Sequence, residues 1–421
     1  MTQRAQTIIH HIGLLWTMAG AHADDTIARC GRDAMREVDA HTEAAIAIGE
    51  DGRILGLGSE REVLAMADEH TVLVDAQGGF LCPGLVDPHT HLVHGGSREQ
   101  ELPMRLAGAG YLDILRAGGG ILSTVRETAR RSEDDLLAQA AQSVRRMLSF
   151  GVTTLEAKTG YGMTQEVEQK QLQVALRLAG ESPVGFVHTA LPAHAVLPER
   201  LGDRDRFIEE IASMWPALYA QGAEFADAFV EEGVFSVDEG RYLLSRAQAA
   251  GLKVKLHADE MVAGGGAQLA AELGAVSADH LLAATDEGLA AMAKAGVVAV
   301  CLPGTSFYLQ KTPARARHML DEAGLAVAIA SDYNPGSSPS ENFGLTMSLA
   351  LLTLRMSPEE VFMAATRNAA CAIDRGDRAG VLAPGRSADL VLFGPREPAY
   401  ILTHYGINHV AQVFIAGRRV A

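Results

Sequence analysis

Two histidines stand one residue apart in His89-Thr90-His91, just after the apolar run Phe80 to Val86. In an extended chain residues i and i+2 point to the same side, so both imidazoles can reach one ion. Three further apolar runs finish on donors of the same kind: Lys253 to His257, Ala275 to Ala278 with His280 just beyond, and Leu325 to Ala330 with Asp332 just beyond. Imidazole nitrogen and carboxylate oxygen suit Zn²⁺, and Fe²⁺ or Mn²⁺ also fit, because a ligand set does not by itself select the metal. The chemistry they could support is metal-assisted hydrolysis. Singly, each has a plainer explanation. His-x-His is often a surface pair, a lone histidine is often a satisfied, partly buried ring, and Asp332 could cap the turn at Asn334-Pro335-Gly336. Five such donors at the ends of four separate apolar runs are what points to a shared ion.

Ligands so far apart in the chain need a scaffold that gathers strand ends. Eight short apolar runs alternate with helical stretches: Phe80 to Val86, Val152 to Ala157, Val184 to Leu191, Phe225 to Val230, Lys253 to His257, Ala275 to Ala278, Val297 to Leu302 and Leu325 to Ala330. The helices are marked by their caps. Ser132 with Asp135 opens one that Gly151 stops, and Ser357-Pro358 with Glu360 opens another that runs through Val361 to Cys371. Such alternation suits an α/β fold, a (β/α)₈ barrel, in which catalytic groups sit at the C-terminal strand ends. A doubly wound sheet competes, but its Gly-rich first turn is absent. Before the barrel, Thr7 to Trp16, Ala44 to Ile48 and Arg53 to Leu57 read as strands, the last two joined at Asp51-Gly52. Gly385 to Phe393 and Val410 to Arg418 read as strands after it. Residues 1–79 plus 384–421 are therefore expected to form one composite β-sandwich domain around a barrel of residues 80–383.

Composition sets outer bounds on function. Thirty-six Lys and Arg against 52 Asp and Glu leave a net charge of −16, which disfavours nucleic acid and anionic membrane surfaces as partners. An anionic small molecule must then be held by locally placed Arg, His or backbone N–H groups, and Arg98 offers a planar fork for a carboxylate. The alternative for Arg98 is an ion pair with Glu99 or Glu101. Cys30, Cys82, Cys301 and Cys371 form no CxxC pair, so a reducing cytoplasm is expected. No apolar run reaches the length of a membrane helix. Ile8 to Met18, followed by Ala21-His22-Ala23, imitates an export signal, but His10 and His11 interrupt it and it reads as a strand.

The stretch Pro83-Gly84-Leu85-Val86-Asp87-Pro88-His89-Thr90-His91, with Gly385-Arg386-Ser387-Ala388-Asp389-Leu390-Val391-Leu392 near the C-terminus, resembles the amidohydrolase superfamily. The resemblance implies a (β/α)₈ barrel with a small β domain and one divalent metal, Zn²⁺ or Fe²⁺, held by His89, His91, His257 and Asp332. His280 would lie beside the reacting water. Members with two metals carry a carboxylated lysine after the fourth strand. Here that strand ends Val230-Glu231-Glu232, and Lys158, after the second, is misplaced for that role.

Longer stretches narrow the resemblance: His94-Gly95-Gly96-Ser97-Arg98-Glu99, Gly118-Gly119-Gly120-Ile121-Leu122-Ser123-Thr124-Val125, Glu156-Ala157-Lys158-Thr159-Gly160-Tyr161-Gly162, His257-Ala258-Asp259-Glu260 and Asp332-Tyr333-Asn334-Pro335-Gly336-Ser337. They are similar to the branch that hydrolyses the lactam C–N bond of 4-imidazolone-5-propanoate to N-formimidoyl-L-glutamate. That likeness implies substrate contacts at Arg98, Tyr161, His194, Glu260 and Ser337, with Asn334 and Gly336 near the product, and a homodimer. Glu260, His280 and Asp332 are the expected catalytic groups. Two rivals remain. His257-x-x-Glu260 also serves nucleobase deaminases of the superfamily, although a neutral base gives Arg98 nothing to pair with. A non-catalytic binding barrel would have no need of the full ligand set.

Overall fold

The computed structural model describes residues 4–20, 26–108 and 118–421; Ala21-His22-Ala23 lies outside the described residues. Five strands open the chain: β1 (Thr7–Trp16), β2 (Ala40–Ile48), β3 (Ile54–Ser59), β4 (Val72–Asp75) and β5 (Phe80–Pro83). The histidine-interrupted stretch is thus β1. Eight parallel strands follow: β6 (Leu85–Asp87), β7 (Val152–Lys158), β8 (Gly185–Ala193), β9 (Phe225–Val230), β10 (Lys253–Ala258), β11 (Ser277–His280), β12 (Val298–Cys301) and β13 (Val327–Ile329), each bonded to the next. The last three, β14 (Leu390–Phe393), β15 (Val410–Ile415) and β16 (Arg418–Arg419), return to the first group. Together they make one sheet in the order β16-β15-β14-β5-β1-β2-β3, with β4 beside β1.

That sheet curls around its own core of Ile9, Ile12, Ile46, Leu81, Leu390 and Phe414. The start of β3 is tied to the segment before β14, where Ile54 N–H donates to Arg386 O and Ala388 N–H to Gly52 O, each at 2.9 Å. On the outer face Trp16, Phe80 and Phe393 meet Phe362 of the barrel, with ring centroids 5.0 to 5.9 Å apart. These edge-to-face contacts join the terminal sheet to the barrel.

Phe80–Pro83, which the sequence suggests as the opening of the first barrel run, pairs in the terminal sheet instead. The chain crosses between sheets at a single residue. Gly84 N–H donates to Asp389 O in the terminal sheet (2.8 Å), while Leu85 N–H donates to Gly151 O beside β7 (3.0 Å). A Cβ on Gly84 would lie 2.0 Å from Thr153 Oγ1, so only glycine lets the backbone pass there.

Between β13 and β6 the barrel closes without a regular ladder. His91 N–H donates to Tyr333 O at 2.9 Å and Asp332 N–H to His89 O at 3.1 Å. Lower down, the Asp87 carboxylate accepts from Ser331 N (3.0 Å) and Ser331 Oγ (2.5 Å). Burial pushes the Asp87 carboxyl up to about 7 despite these bonds. The seam therefore brings His-x-His and Asp332 together.

Helix caps follow the sequence signals. Ser132 accepts from Asp135 N at the start of Glu133–Ser149, and Ser357 with Glu360 forms a full capping box. The helix expected to run to Cys371 breaks at Thr366, giving Pro358–Ala365 and Arg367–Ala372. The break lets the buried Arg367 side chain donate to Ile27, Met18 and Ala19 carbonyls. Among the described residues no helix is long and apolar enough to cross a membrane.

Phe362→Ala removes the ring shared by both units. It should cost about 3–5 kcal/mol, the usual range for a buried Phe truncation, read as a lower thermal unfolding midpoint. An unchanged midpoint would show that the aromatic cluster does not join the two units.

Candidate metal centre and active site

Side chains alternate along each barrel strand, so every second residue faces the interior. The lowest inward positions are apolar, Phe225 and Val187 among them. The next layer is ionic. Glu156 and Lys158 of β7, Asp227 of β9, Lys255 of β10 and Asp279 of β11 all have fully buried side chains. Lys158 Nζ lies 2.7 Å from Asp227, 3.0 Å from Glu156 and 3.5 Å from Asp279. Lys255 Nζ donates to Glu156 Oε2 and Pro88 O, both at 2.9 Å. Burial works against the Lys158 charge, but the three carboxylates outweigh it and raise its pKa above the ordinary lysine value.

Above this layer sit the imidazoles. Ring centroids of His89 and His257 are 4.6 Å apart, those of His89 and His91 5.3 Å, and those of His257 and His280 5.2 Å. His89 Nδ1 lies 2.6 Å from Asp279 Oδ2, an orientation that leaves Nε2 for another partner. His257 Nδ1 lies 3.0 Å from Asp227 Oδ2. That contact is close but lacks the alignment of a hydrogen bond, since both ring nitrogens are without one. Asp332 is oriented from the other side. Thr305 Oγ1 donates to its Oδ2 at 2.5 Å, while Oδ1 faces His89 Nε2 at 3.4 Å and His91 Nε2 at 3.6 Å. His280 and Asp332 both adopt left-handed backbone, with φ of 76° and 52°, a conformation that a surrounding structure must hold in place.

These groups fit a divalent cation. His89 Nε2, His91 Nδ1, both nitrogens of His257 and Nδ1 of His280 are buried without a hydrogen-bond partner, a costly state unless another ligand takes them. Candidate ligand atoms within 4.8 Å of one another form the overlapping sets His89–His91–Asp332, His89–His257–His280 and His91–His194–His257. Burial, followed by nearby cationic groups, holds His89 and His91 well below the usual histidine range. Neutral rings are what a metal needs. The Asp332 carboxyl is raised by burial, a rise that the neighbouring His280 and the Thr305 bond oppose.

The expected substrate groups ring this centre. His194 stacks on His91 at 4.7 Å, with planes 5° apart. Its Nδ1 lies 3.0 Å from Gly160 O, and a Cβ on Gly160 would come within 2.7 Å of that nitrogen. Burial pushes His194 down to about 3. Buried Tyr161 packs beside His91 and His194. Glu260 approaches His280 Nδ1 and Lys311 Nζ, each at 3.9 Å. Its loop is strapped by Glu231, which accepts from Met261 and Val262 N–H, and by Asp259, which accepts from Gly264, Gly265, Gly266 and Ala267 N–H.

Arg98 makes the ion pair weighed above. Its Nε and Nη2 donate to Glu101 at 2.8 and 2.9 Å. Among the described residues Nη1 has no partner, so the far side of the fork can still take a carboxylate. The guanidinium lies against Gly336, where a Cβ would come within 1.9 Å of Nη1. The Asn334 side chain is occupied within its own loop, donating to Asp332 O and Ser337 Oγ and accepting from Gly336 N and Ser337 N. It shapes the loop that carries Gly336 and Ser337. Residue spacing alone missed Asp227, Asp279 and Thr305, whereas Glu101 was already the alternative partner of Arg98; for the two aspartates the one available signal was charge inside otherwise apolar strands.

A family model described as "Amidohydrolase family" matches residues 80–420. The chain belongs to the amidohydrolase family. Among similar curated proteins, an imidazolonepropionase of Bacillus cytotoxicus is 47% identical over 412 residues, covering 97% of this chain and 95% of that relative. Another, of Bacillus velezensis, is 46% identical over 422 residues, covering 100% and 98%. Solved structures share the fold at lower identity. An adenosine deaminase of Xanthomonas campestris with bound Zn aligns at TM-score 0.70 and 18% identity, over 100% of this chain and 93% of that one. E. coli guanine deaminase aligns at TM-score 0.73 and 13% identity, over 99% and 98%. This amidohydrolase is thus a hydrolase built on a metal-dependent family's barrel.

Gly336→Ala in this amidohydrolase should displace the Arg98 guanidinium and leave the fold intact. If Arg98 holds a substrate carboxylate, KM rises about 10- to 100-fold, the worth of a charge-assisted hydrogen bond, with kcat changed much less. An unaltered KM in steady-state assays would remove Arg98 from that role.

Proposed function

We propose that this chain is an imidazolonepropionase, hydrolysing the lactam C–N bond of 4-imidazolone-5-propanoate to N-formimidoyl-L-glutamate. The observation that carries this reading is near-full-length likeness to imidazolonepropionases together with a guanidinium, Arg98, placed beside Gly336 at the rim of the imidazole cluster. Nucleobase deamination gains nothing from the deaminase structures, whose low identity speaks only for the fold.

His89, His91, His257 and Asp332 would hold one divalent ion, Zn²⁺ or Fe²⁺, which when bound supplies Lewis-acid polarisation and lowers the pKa of water from 15.7 toward about 7. Arg98 binds the propanoate, while Tyr161 and His194 line the flat ring and Ser337, with the Asn334–Gly336 loop, closes the side where product forms. Asp332 or His280 takes a proton from the attacking water. Water oxygen bonds to the ring carbonyl carbon, the C–N bond breaks, and Glu260 returns a proton to the departing nitrogen. The carbonyl carbon becomes the α-carboxylate of the product. His194, held neutral with its Nδ1 proton given to Gly160 O, leaves Nε2 as an acceptor for a ring N–H of the substrate. We place the enzyme in the cytoplasm, in keeping with four cysteines that form no CxxC pair, and assign it the homodimer that its sequence motifs suggest.

The test is product mass from freshly made 4-imidazolone-5-propanoate, with metal-loaded and chelator-stripped protein in parallel. Formimidoylglutamate should form above the spontaneous rate only with metal. No turnover by protein shown to hold its metal would defeat the assignment. Glu260→Gln and Asp332→Asn should each lower kcat at least ~10²-fold, as expected on losing an acid or base; a variant with near-normal turnover removes that residue from proton transfer.

A further inference from the structure

The ionic layer beneath the imidazoles is large for a barrel interior, where apolar side chains normally fill the layers. Five charged side chains of three acids and two lysines carry a net charge of −1 at full burial. Buried ion pairs add little stability compared with apolar packing of similar volume, so stability alone does not explain the layer.

Its geometry has a definite focus. Asp279 Oδ2, the oxygen 2.6 Å from His89 Nδ1, is also 3.5 Å from Lys158 Nζ. Asp227 Oδ2, 3.0 Å from His257 Nδ1, is 2.7 Å from the same Nζ. One ammonium group therefore stands between two carboxylate oxygens, and each oxygen faces a different histidine of the centre. The remaining oxygens are tied elsewhere, Asp279 Oδ1 to Ser277 Oγ at 2.7 Å and Asp227 Oδ1 to His257 N at 3.1 Å.

We propose that Lys158 is a positioning residue for the metal centre. By fixing Asp227 and Asp279 together it sets the ring orientation of His257 and His89, and so which nitrogens face the ion. It touches neither substrate nor metal. Outer partners of metal-bound histidines fix the tautomer and ring plane, and their loss typically weakens metal affinity about 10- to 100-fold. The inference rests on the metal reading above and extends it to a residue that the missing fourth-strand lysine left without a role.

The test uses the full-length protein and Co²⁺ as probe, with affinity measured by competition against a chromophoric chelator and geometry by the visible d–d spectrum. Lys158→Met, uncharged and of similar length, should bind Co²⁺ about 10- to 100-fold more weakly with an altered spectrum. Should that variant fail to fold, Lys158→Gln, which keeps a polar side chain there and leaves Asp227 and Asp279 in place, carries the same expectation. Wild-type affinity and spectrum in a folded variant would overturn the proposal, because a charge-filling role alone would leave the centre unmoved. A wild-type protein that bound no Co²⁺ would instead sink the metal reading itself.

Discussion

Burying imidazoles without partners for their nitrogens is expensive, and this protein buries several in one place. His89, His91, His257 and His280 each carry a buried nitrogen without a hydrogen-bond partner, and neighbouring rings lie with centroids 4.6 to 5.6 Å apart. Such an arrangement is stable only if the rings stay neutral, stay oriented and face something that takes their lone pairs. Desolvation supplies neutrality at His89 and His91, whereas at His257 burial is outweighed by the Asp227 carboxylate, which favours the charged ring. Orientation comes from Asp279 under His89, Asp227 under His257 and Thr305 beside Asp332. A divalent cation, taking one nitrogen from each ligand ring, is the partner we propose for this cluster.

The rest of the architecture serves that convergence. The barrel seam, closed by Asp87 on Ser331 and by backbone bonds around His89, His91 and Asp332, places three donors that follow the first and last barrel strands side by side. Gly84 hands the chain from the terminal sheet to the first barrel strand over one residue. The start of the His-x-His motif is thereby anchored to a second core, and the Trp16–Phe80–Phe362–Phe393 cluster holds the two units together. The groups proposed to meet substrate sit on loops whose shape is set by Asn334, Glu101, Glu231 and Asp259.

Much of this was legible in the chain because strands in a parallel barrel end where chemistry happens, so donors that follow apolar runs could be gathered by topology alone. His89, His91, His257, His280 and Asp332 were found that way. The ionic layer was not. Asp227 and Lys158 are 69 residues apart and His89 and Asp279 are 190 apart, and pairing across strands leaves no local spacing to read. Glu156, Lys158, Asp227, Lys255 and Asp279 did leave one trace, as charges at inward positions of strands that are otherwise apolar. The split of Phe80–Pro83 from Leu85–Asp87 was hidden for a related reason: both segments are apolar, and only the partner strands distinguish them. The break at Thr366 was masked because the run is rich in alanine and holds no Gly or Pro after Pro358 to mark a stop.

The central claim is that one divalent ion is held where His89, His91, His257 and Asp332 converge. A crystal structure of metal-loaded protein, with anomalous diffraction recorded at the metal edge, tests it most directly. The account predicts one anomalous peak, about 2.0–2.2 Å from an imidazole nitrogen of each of the three histidines and from a carboxylate oxygen of Asp332, with Lys158 beyond bonding distance. Two peaks bridged by Lys158, or a single peak away from these four residues, would contradict it.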